Sequence, residues 1–304
     1  MEEAEDAQAA TLPPTESSQH VSDVMSSTLD PIEAIDNASN DAAPRRLIPT
    51  GFADLDLLFG GGLWPGHMTV IGGRPGAGSS VLGLNIASAA AIHHGIPTLV
   101  VCTDSSAEEV NFRLLAARGR IPTTHIRNGR MDVGAWDRLA KATRELSSAP
   151  LYLNTELGIT MAKVTEAVEE LAGRGLRLIV LDGLQTLDQE IPRDSRYFEV
   201  CDDVHALKRL ARTHKLSLVV ISKLNRTPEQ RLFKRPALHD LRNAGDIEDI
   251  ADEVILIHRE DMYEAESTRP GEADFDVVKH RHGPQRLIVV AYQGHYSRFV
   301  DIKR

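Results

Sequence analysis

Residues 67–80 read His67-Met68-Thr69-Val70-Ile71-Gly72-Gly73-Arg74-Pro75-Gly76-Ala77-Gly78-Ser79-Ser80, and a helical period follows over 80–94. The apolar run at 67–72 reads as a strand that feeds a glycine-rich turn and then a helix N-terminus. That order is what a phosphate cradle requires. Glycines let backbone N–H groups turn inward, and the helix dipole adds positive potential. The spacing from Gly73 through Arg74, Pro75, Gly76, Ala77, Gly78 and Ser79 to Ser80 fits G-x-x-x-x-G-K-[ST], except that Ser79 stands where the lysine belongs. Ser80 still supplies a hydroxyl suited to Mg²⁺. Such a turn also serves as a plain structural junction between strand and helix. A second signature, Leu178-Ile179-Val180-Leu181-Asp182, is an apolar strand that ends in an acid. An acid there is commonly a solvated turn residue; beside a phosphate loop, Asp182 reads as a holder of Mg²⁺ through a water.

Outward from these two signatures, apolar runs alternate with helical patterns. Strands are expected at 67–72, 98–102, 151–153, 176–181, 216–221 and 253–258, and helices at 80–94, 107–118, 133–146, 160–172 and 197–214. That alternation implies crossovers and an α/β fold with a mainly parallel twisted sheet flanked by helices. Past residue 274 strand follows strand (275–279, 286–291, 297–300), which predicts antiparallel strands at the C-terminal edge.

The chain has 304 residues and a formal net charge of −10. The charge is not spread evenly. Residues 1–44 carry ten acids and no Lys or Arg, which leaves 34 acids against 34 bases in the remainder. The total therefore does not exclude a nucleic-acid partner. Residues 1–46 are rich in Ala, Ser, Thr, Asp, Glu and Pro without apolar period, and read as an acidic disordered tail; residues 47–304 read as one domain. A short apolar patch at 29–35 is the one stretch of the tail suited to docking. No apolar run reaches the roughly 18–20 residues of a membrane span, and the acidic start is no secretory signal. Cys102 and Cys201 lack metal-ligand spacing and read as isolated thiols of a cytoplasmic protein. Aromatics, at 5%, are too few for a base-stacking platform. His280 and His282 alternate with Lys279 and Arg281 but have no carboxylate or cysteine at ligand spacing, so they read as no metal site.

Collinear motifs carry a resemblance. They run from Thr50-Gly51-Phe52-Ala53-Asp54-Leu55-Asp56 and Arg127-Asn128-Gly129 with Trp136, through Leu181-Asp182-Gly183-Leu184-Gln185 and Ser222-Lys223-Leu224-Asn225-Arg226. They continue with Glu229-Gln230-Arg231, Lys234-Arg235-Pro236, Asp240-Leu241-Arg242, Gly245-Asp246-Ile247-Glu248 and Ala251-Asp252, and end at Lys279-His280-Arg281-His282-Gly283-Pro284 and Ser297-Arg298-Phe299. Over roughly residues 47–300 the chain resembles the RecA-type ATPase domain of DnaB-type replicative helicases. The resemblance implies a RecA-like P-loop fold and a ring, a homo-hexamer, that binds ATP and Mg²⁺ between subunits and translocates on single-stranded DNA in replication. It implies that residues 73–80 hold phosphates and that Ser80 and Asp182 hold the metal. It also implies that Lys279 and Arg281 reach the neighbouring subunit's nucleotide, in the manner of an arginine finger. Family members carry a separate helical N-terminal domain, for which residues 1–46 are too short and too polar.

Three departures fall on the chemistry. Ser79 replaces the loop lysine, Asp104 stands one methylene short of the family's water-orienting glutamate, and Lys223 replaces its phosphate-sensing glutamine. A charged hydrogen bond is worth about 1.5–3 kcal/mol, so loss of the lysine weakens nucleotide binding by roughly ten- to a hundredfold. Loss of one preorganised electrostatic stabiliser costs about 10²–10³ in rate, and the retracted Asp104 adds to that. In the RecA arrangement Lys223 lies beside the loop strand, so it is a candidate replacement for the missing cation; Arg74 is a second. The alternative is a non-catalytic relative that binds nucleotide or single-stranded DNA, or that assembles with an active replicative helicase.

From residue 205 to 242 ten bases face two acids, the electrostatic footprint of a nucleic-acid groove. The first half reads as an amphipathic helix with Lys208, Arg212 and Lys215 on the wet face and Val204, Leu207 and Leu210 inside. In the second half, Arg226, Arg231, Lys234, Arg235 and Arg242 match the family's channel-lining region and are expected to contact DNA phosphates. The acidic tail is a candidate competitor for that surface, as a DNA mimic.

Overall fold

The computed structural model describes Val21, Met25 and residues 47–190, 195–242, 244–264 and 266–302. The expectations for the acidic tail, including its apolar patch and its role as a DNA mimic, fall outside the described residues. Everything below concerns the unit Arg46–Arg304.

The helix α1 (Ala53–Leu58) precedes β1 (Met68–Gly73), after which α2 (Ser79–Ser88) continues as a π-helical turn, Ala89–His93. Then come β2 (Thr98–Cys102), α3 (Ala107–Gly119), α4 (Thr123–Asn128), α5 (Val133–Ser148), β3 (Leu151–Asn154), α6 (Met161–Ala172) and β4 (Leu178–Asp182). The last part holds α7 (Arg196–His214), β5 (Ser217–Lys223), α8 (Ala244–Ile250), β6 (Glu253–His258), β7 (Glu272–His280), β8 (Arg286–Gln293) and β9 (Arg298–Asp301). The strands form a nine-stranded sheet in the order β3-β2-β4-β5-β1-β6-β7-β8-β9. Pairing is parallel from β3 across to β6 and antiparallel from β6 to β9. The expectation of a mainly parallel sheet with antiparallel C-terminal strands holds.

Both faces of the parallel region are covered, which is why its strands are continuously apolar rather than alternating. Successive residues still point to opposite faces. On one face Ile71, Val180, Val219 and Ile255 pack with Leu82 and Ile86 of α2. On the other Val70, Ile179, Val220 and Val254 pack with Val204, Leu207 and Leu210 of α7. The amphipathic reading of α7 holds for its apolar side, where those three are buried, and for the exposed Arg212 and Lys215; Lys208 departs from it, since it is largely covered and ion-paired with the buried Asp252.

Three short helices, α1, α4 and α8, carry no legible apolar period because each spans only six or seven residues. Where the sequence pattern ends the fifth strand at 221, β5 runs on to Lys223. Its register sets Lys223 beside Gly73, the last residue of β1. That extra pair of residues decides much of the site.

Candidate functional site

The C-terminal ends of the parallel strands converge on a cleft of about 480 Å³, lined by residues of the 73–81 turn, Asp104, Ser105, Arg113, Asp182, Gly183, residues 221–223 and Tyr292. Gly78 enters α2 with φ +109°, and a Cβ there would lie 2.6 Å from the Phe299 ring. Only glycine fits that corner. At Gly73 a Cβ would meet Ser79 Oγ at 2.2 Å, so the turn closes on itself without room for a side chain. Arg259 braces the turn from the end of β6: its guanidinium lies 3.9 Å over the Tyr292 ring and donates to Gly76 O at 3.2 Å. Ala77 is buried beneath it.

Arg74 does not face the cleft with a free head. It donates to Glu229 at 2.8 and 2.5 Å and to the carbonyls of Leu224 and Asn225 at 3.2 Å each. As a replacement phosphate donor it is already engaged; its geometry ties the turn to the segment after β5.

Ser79 Oγ is buried, with no hydrogen-bond partner among the described residues. Such an orphaned hydroxyl facing a glycine cradle fits a phosphate oxygen as acceptor. One residue on, Ser80 Oγ donates to Asp182 Oδ1 at 3.1 Å. β4 carries Asp182 to the strand end, opposite Cys102 of β2. Burial pushes the Asp182 carboxyl up, while the Ser80 hydrogen bond and the Arg113 charge pull it down. A hydroxyl and a carboxylate beneath a phosphate cradle suit Mg²⁺, whose charge would favour the ionised form.

Asp104 follows β2, and Lys223 ends β5. Their side chains meet in the cleft, with Lys223 Nζ donating to Asp104 Oδ2 at 2.9 Å. Gln185 fixes the backbone there: its Oε1 accepts from Lys223 N at 2.9 Å, and its Nε2 donates to Ser222 Oγ at 2.8 Å. Arg113 is a cleft cation that the sequence reading missed. Val110 and Leu114 on α3 are buried, and the intervening Arg113 lines the cleft.

Lys279 and Arg281 stand at the far end of the sheet. β7 runs antiparallel to β6, so His280 pairs with Glu253, the first residue of β6, whereas Gly73 pairs with Ile257 near its end. The rise along β6 separates the two ends by roughly 13 Å. Lys279 Nζ donates to the carbonyls of Glu248 and Asp249, and Arg281 Nη1 donates to Asp252 Oδ1 at 3.1 Å. Asp252 is almost fully buried and is shared with Lys208. A second cleft of about 390 Å³ opens there, lined by His67, Lys208, Arg212, Lys215, Asp252 and Arg281 among others.

A family model of the DnaB-like helicase C terminal domain matches residues 48–301. The chain belongs to that family. It is 40% identical over 272 residues to "Replicative DNA helicase DnaB" of Leifsonia xyli subsp. xyli (strain CTCB07), covering 89% of this chain and 59% of the relative. It is 30% identical over 292 residues to "Replicative DNA helicase DnaC" of Bacillus subtilis (strain 168), covering 95% and 63%. This DnaB-like chain thus spans about three-fifths of the length of these curated relatives. Among solved structures it is similar to an isolated ATPase domain at TM-score 0.85 and 26% identity, with 92% of this chain and 99% of that one covered. It shares its fold with a second, "The Structure Of A DnaB-Like Replicative Helicase And Its Interactions With Primase", at TM-score 0.83 and 24% identity, with 94% and 68% covered. The sheet is the RecA-like one of DnaB-like ATPase domains.

The segment expected to face DNA divides. Arg231 and Arg235 are ion-paired with buried carboxylates, Arg231 with Asp240 at 2.5 Å and Arg235 with Asp274 at 2.6 Å. Lys234, with φ +48°, lies 5.4 Å over the Tyr263 ring. Arg226 and Arg242 are exposed, and among the described residues their side chains have no ion-pair partner. Leu232 and Phe233, at the tip, are 85% and 78% exposed. No helix among the described residues is long and apolar enough to cross a membrane.

Proposed function

We propose that this chain is the motor domain of a DnaB-type DNA helicase: it binds ATP with Mg²⁺ between copies in a hexameric ring and moves along single-stranded DNA in replication. The observation that carries this reading is the Ser80–Asp182 contact at 3.1 Å under the 73–80 turn. In a bound state the backbone N–H groups of the turn and Ser79 Oγ hold phosphates, and Ser80 and Asp182 hold the metal. Mg²⁺ held by Ser80 and Asp182 would supply charge neutralisation to the bound phosphates. Asp104 orients water, and Arg113 and Lys223 add positive charge to the cleft.

Lys279 and Arg281 lie too far from their own turn to serve it, which supports a role on the nucleotide of an adjacent copy. Arg226 and Arg242, exposed and without an ion-pair partner among the described residues, are suited to DNA phosphates. Hydrolysis is weakened by Ser79 and by the shorter Asp104.

The second reading is a non-catalytic relative that binds nucleotide or DNA, or that works beside an active helicase. The Lys223–Asp104 pair favours it, because that pair neutralises the carboxylate expected to orient water. Single-turnover ATP hydrolysis with and without single-stranded DNA, run beside Ser79→Lys, separates the two. A parent rate stimulated by DNA, and raised by Ser79→Lys, supports the motor. DNA binding without hydrolysis in either protein supports the binding module.

A further inference from the structure

Two of the three departures from the family pattern touch each other. Lys223 and Asp104 are 119 residues apart in the chain, yet their charged groups meet at 2.9 Å. They do so in the cleft that also holds Ser79, Ser80 and Asp182. β5 sets Lys223 beside Gly73 at the start of the phosphate turn. The lysine therefore has a carboxylate on one side and the phosphate cradle on the other.

The pair is open to water: the two side chains keep 44% and 50% of their surface. Ion pairs this exposed are held only weakly. A terminal phosphate carries more charge than a carboxylate and offers three acceptor oxygens, so it is the stronger partner for an ammonium group. A diphosphate in the same cradle lacks the group that would reach past the turn to compete.

We propose that Lys223 and Asp104 form an exchange pair that reads the terminal phosphate of a nucleoside triphosphate. Without that phosphate Lys223 rests on Asp104. With it, Lys223 turns to the phosphate, and the Asp104 carboxylate is released to hold water. The inference rests on the reading of the cleft as a triphosphate site, and it assigns both residues to discrimination between triphosphate and diphosphate.

Equilibrium titration with ATPγS and with ADP, both with Mg²⁺, tests it on the full chain. Asp104→Asn removes the competing carboxylate, so ATPγS binding should tighten by roughly two- to fivefold while ADP binding is unchanged. Lys223→Ala should weaken ATPγS binding by roughly tenfold and again spare ADP. In the double variant Asp104→Asn should no longer tighten ATPγS binding, because the lysine it released is gone. Both positions are half-exposed, and unchanged circular dichroism will show that the variants fold. If Asp104→Asn leaves the ATPγS-to-ADP ratio unchanged while Lys223→Ala lowers it, the exchange is overturned and the triphosphate site stands. If the parent binds neither nucleotide, the site reading and the exchange both fall.

Discussion

The guanidinium of Arg231 grips the carboxylate of Asp240 with both terminal nitrogens, at 2.5 and 2.8 Å, and Asp240 has no exposed surface. Asp240 also accepts from Ala237 N at 2.7 Å, and Arg231 Nη1 donates to Arg235 O at 3.1 Å. The arginine expected to contact DNA holds its own loop in shape. Arg231→Ala would leave a buried carboxylate unpaired, a loss of about 3–5 kcal/mol in buried pairs. Arg231 is itself one-third exposed, so the expected loss lies at or below the lower end of that range. Denaturant unfolding of the variant beside the parent measures it, and an unchanged midpoint would contradict the bracing role.

Arg226 and Arg242 should behave in the opposite way. Each is exposed and unpaired among the described residues, so alanine there should leave the unfolding midpoint where it is. If they contact phosphates, each substitution lowers the salt slope of single-strand affinity by about 0.7. Fluorescence anisotropy at several salt concentrations reads the slope. A parent with no salt dependence would remove the nucleic-acid reading of this loop.

Ser79→Lys places a cation where the chain has an orphaned hydroxyl. Nucleotide affinity should rise by roughly ten- to a hundredfold, for ADP as well as for ATPγS, since a loop lysine reaches phosphates common to both. That pattern differs from the one expected at Asp104, where only the triphosphate responds. Isothermal titration of the two variants side by side distinguishes a general phosphate cation from a terminal-phosphate reader.

Asp203 on α7 is buried, and desolvation pushes its carboxyl up to about 6, against the opposing hydrogen bond from Gln189 Nε2 at 2.8 Å. The folded state therefore holds this proton more tightly than the unfolded chain does. The group's contribution to stability is greatest below the ordinary carboxylate range, falls as pH rises toward 6, and is lost above it. Asp203→Asn keeps an acceptor for Gln189 without the charge. Its stabilisation relative to the parent should be small at pH 4 and about 1–3 kcal/mol at pH 8. Thermal unfolding across that range checks the sign, and a constant difference would contradict it.

The strand-turn-helix at 67–94 was legible because each of its signals is local. Apolar runs report strands, glycines report the turn, and the helical period of 80–94 reports α2 with its π-helical extension. The motif spacing located the turn and Asp182 for the same reason. Helices α1, α4 and α8 were not legible, since six or seven residues hold fewer than two turns and show no period. Arg113 escaped notice because a half-buried cation on α3 stands out only once α3 is seen to close the cleft.

The net charge of −10 was equally readable from sequence once its position was traced to residues 1–44, and so was the +8 of residues 205–242. How those bases are used was not. Arg74, Arg231, Arg235 and Arg281 look alike in a sequence, yet each lies against a different carboxylate, Arg231 within its own loop and the other three against acids distant in the chain. Composition and spacing determined the fold class, the glycine-rich turn and the basic segment, because those depend on neighbours a few residues away. Which cations brace the fold, which remain free, and that Lys223 meets Asp104 were decided only by the tertiary structure. Ion pairing depends on distance in space, and the sheet order places the ends of β2 and β5 within reach of one cleft.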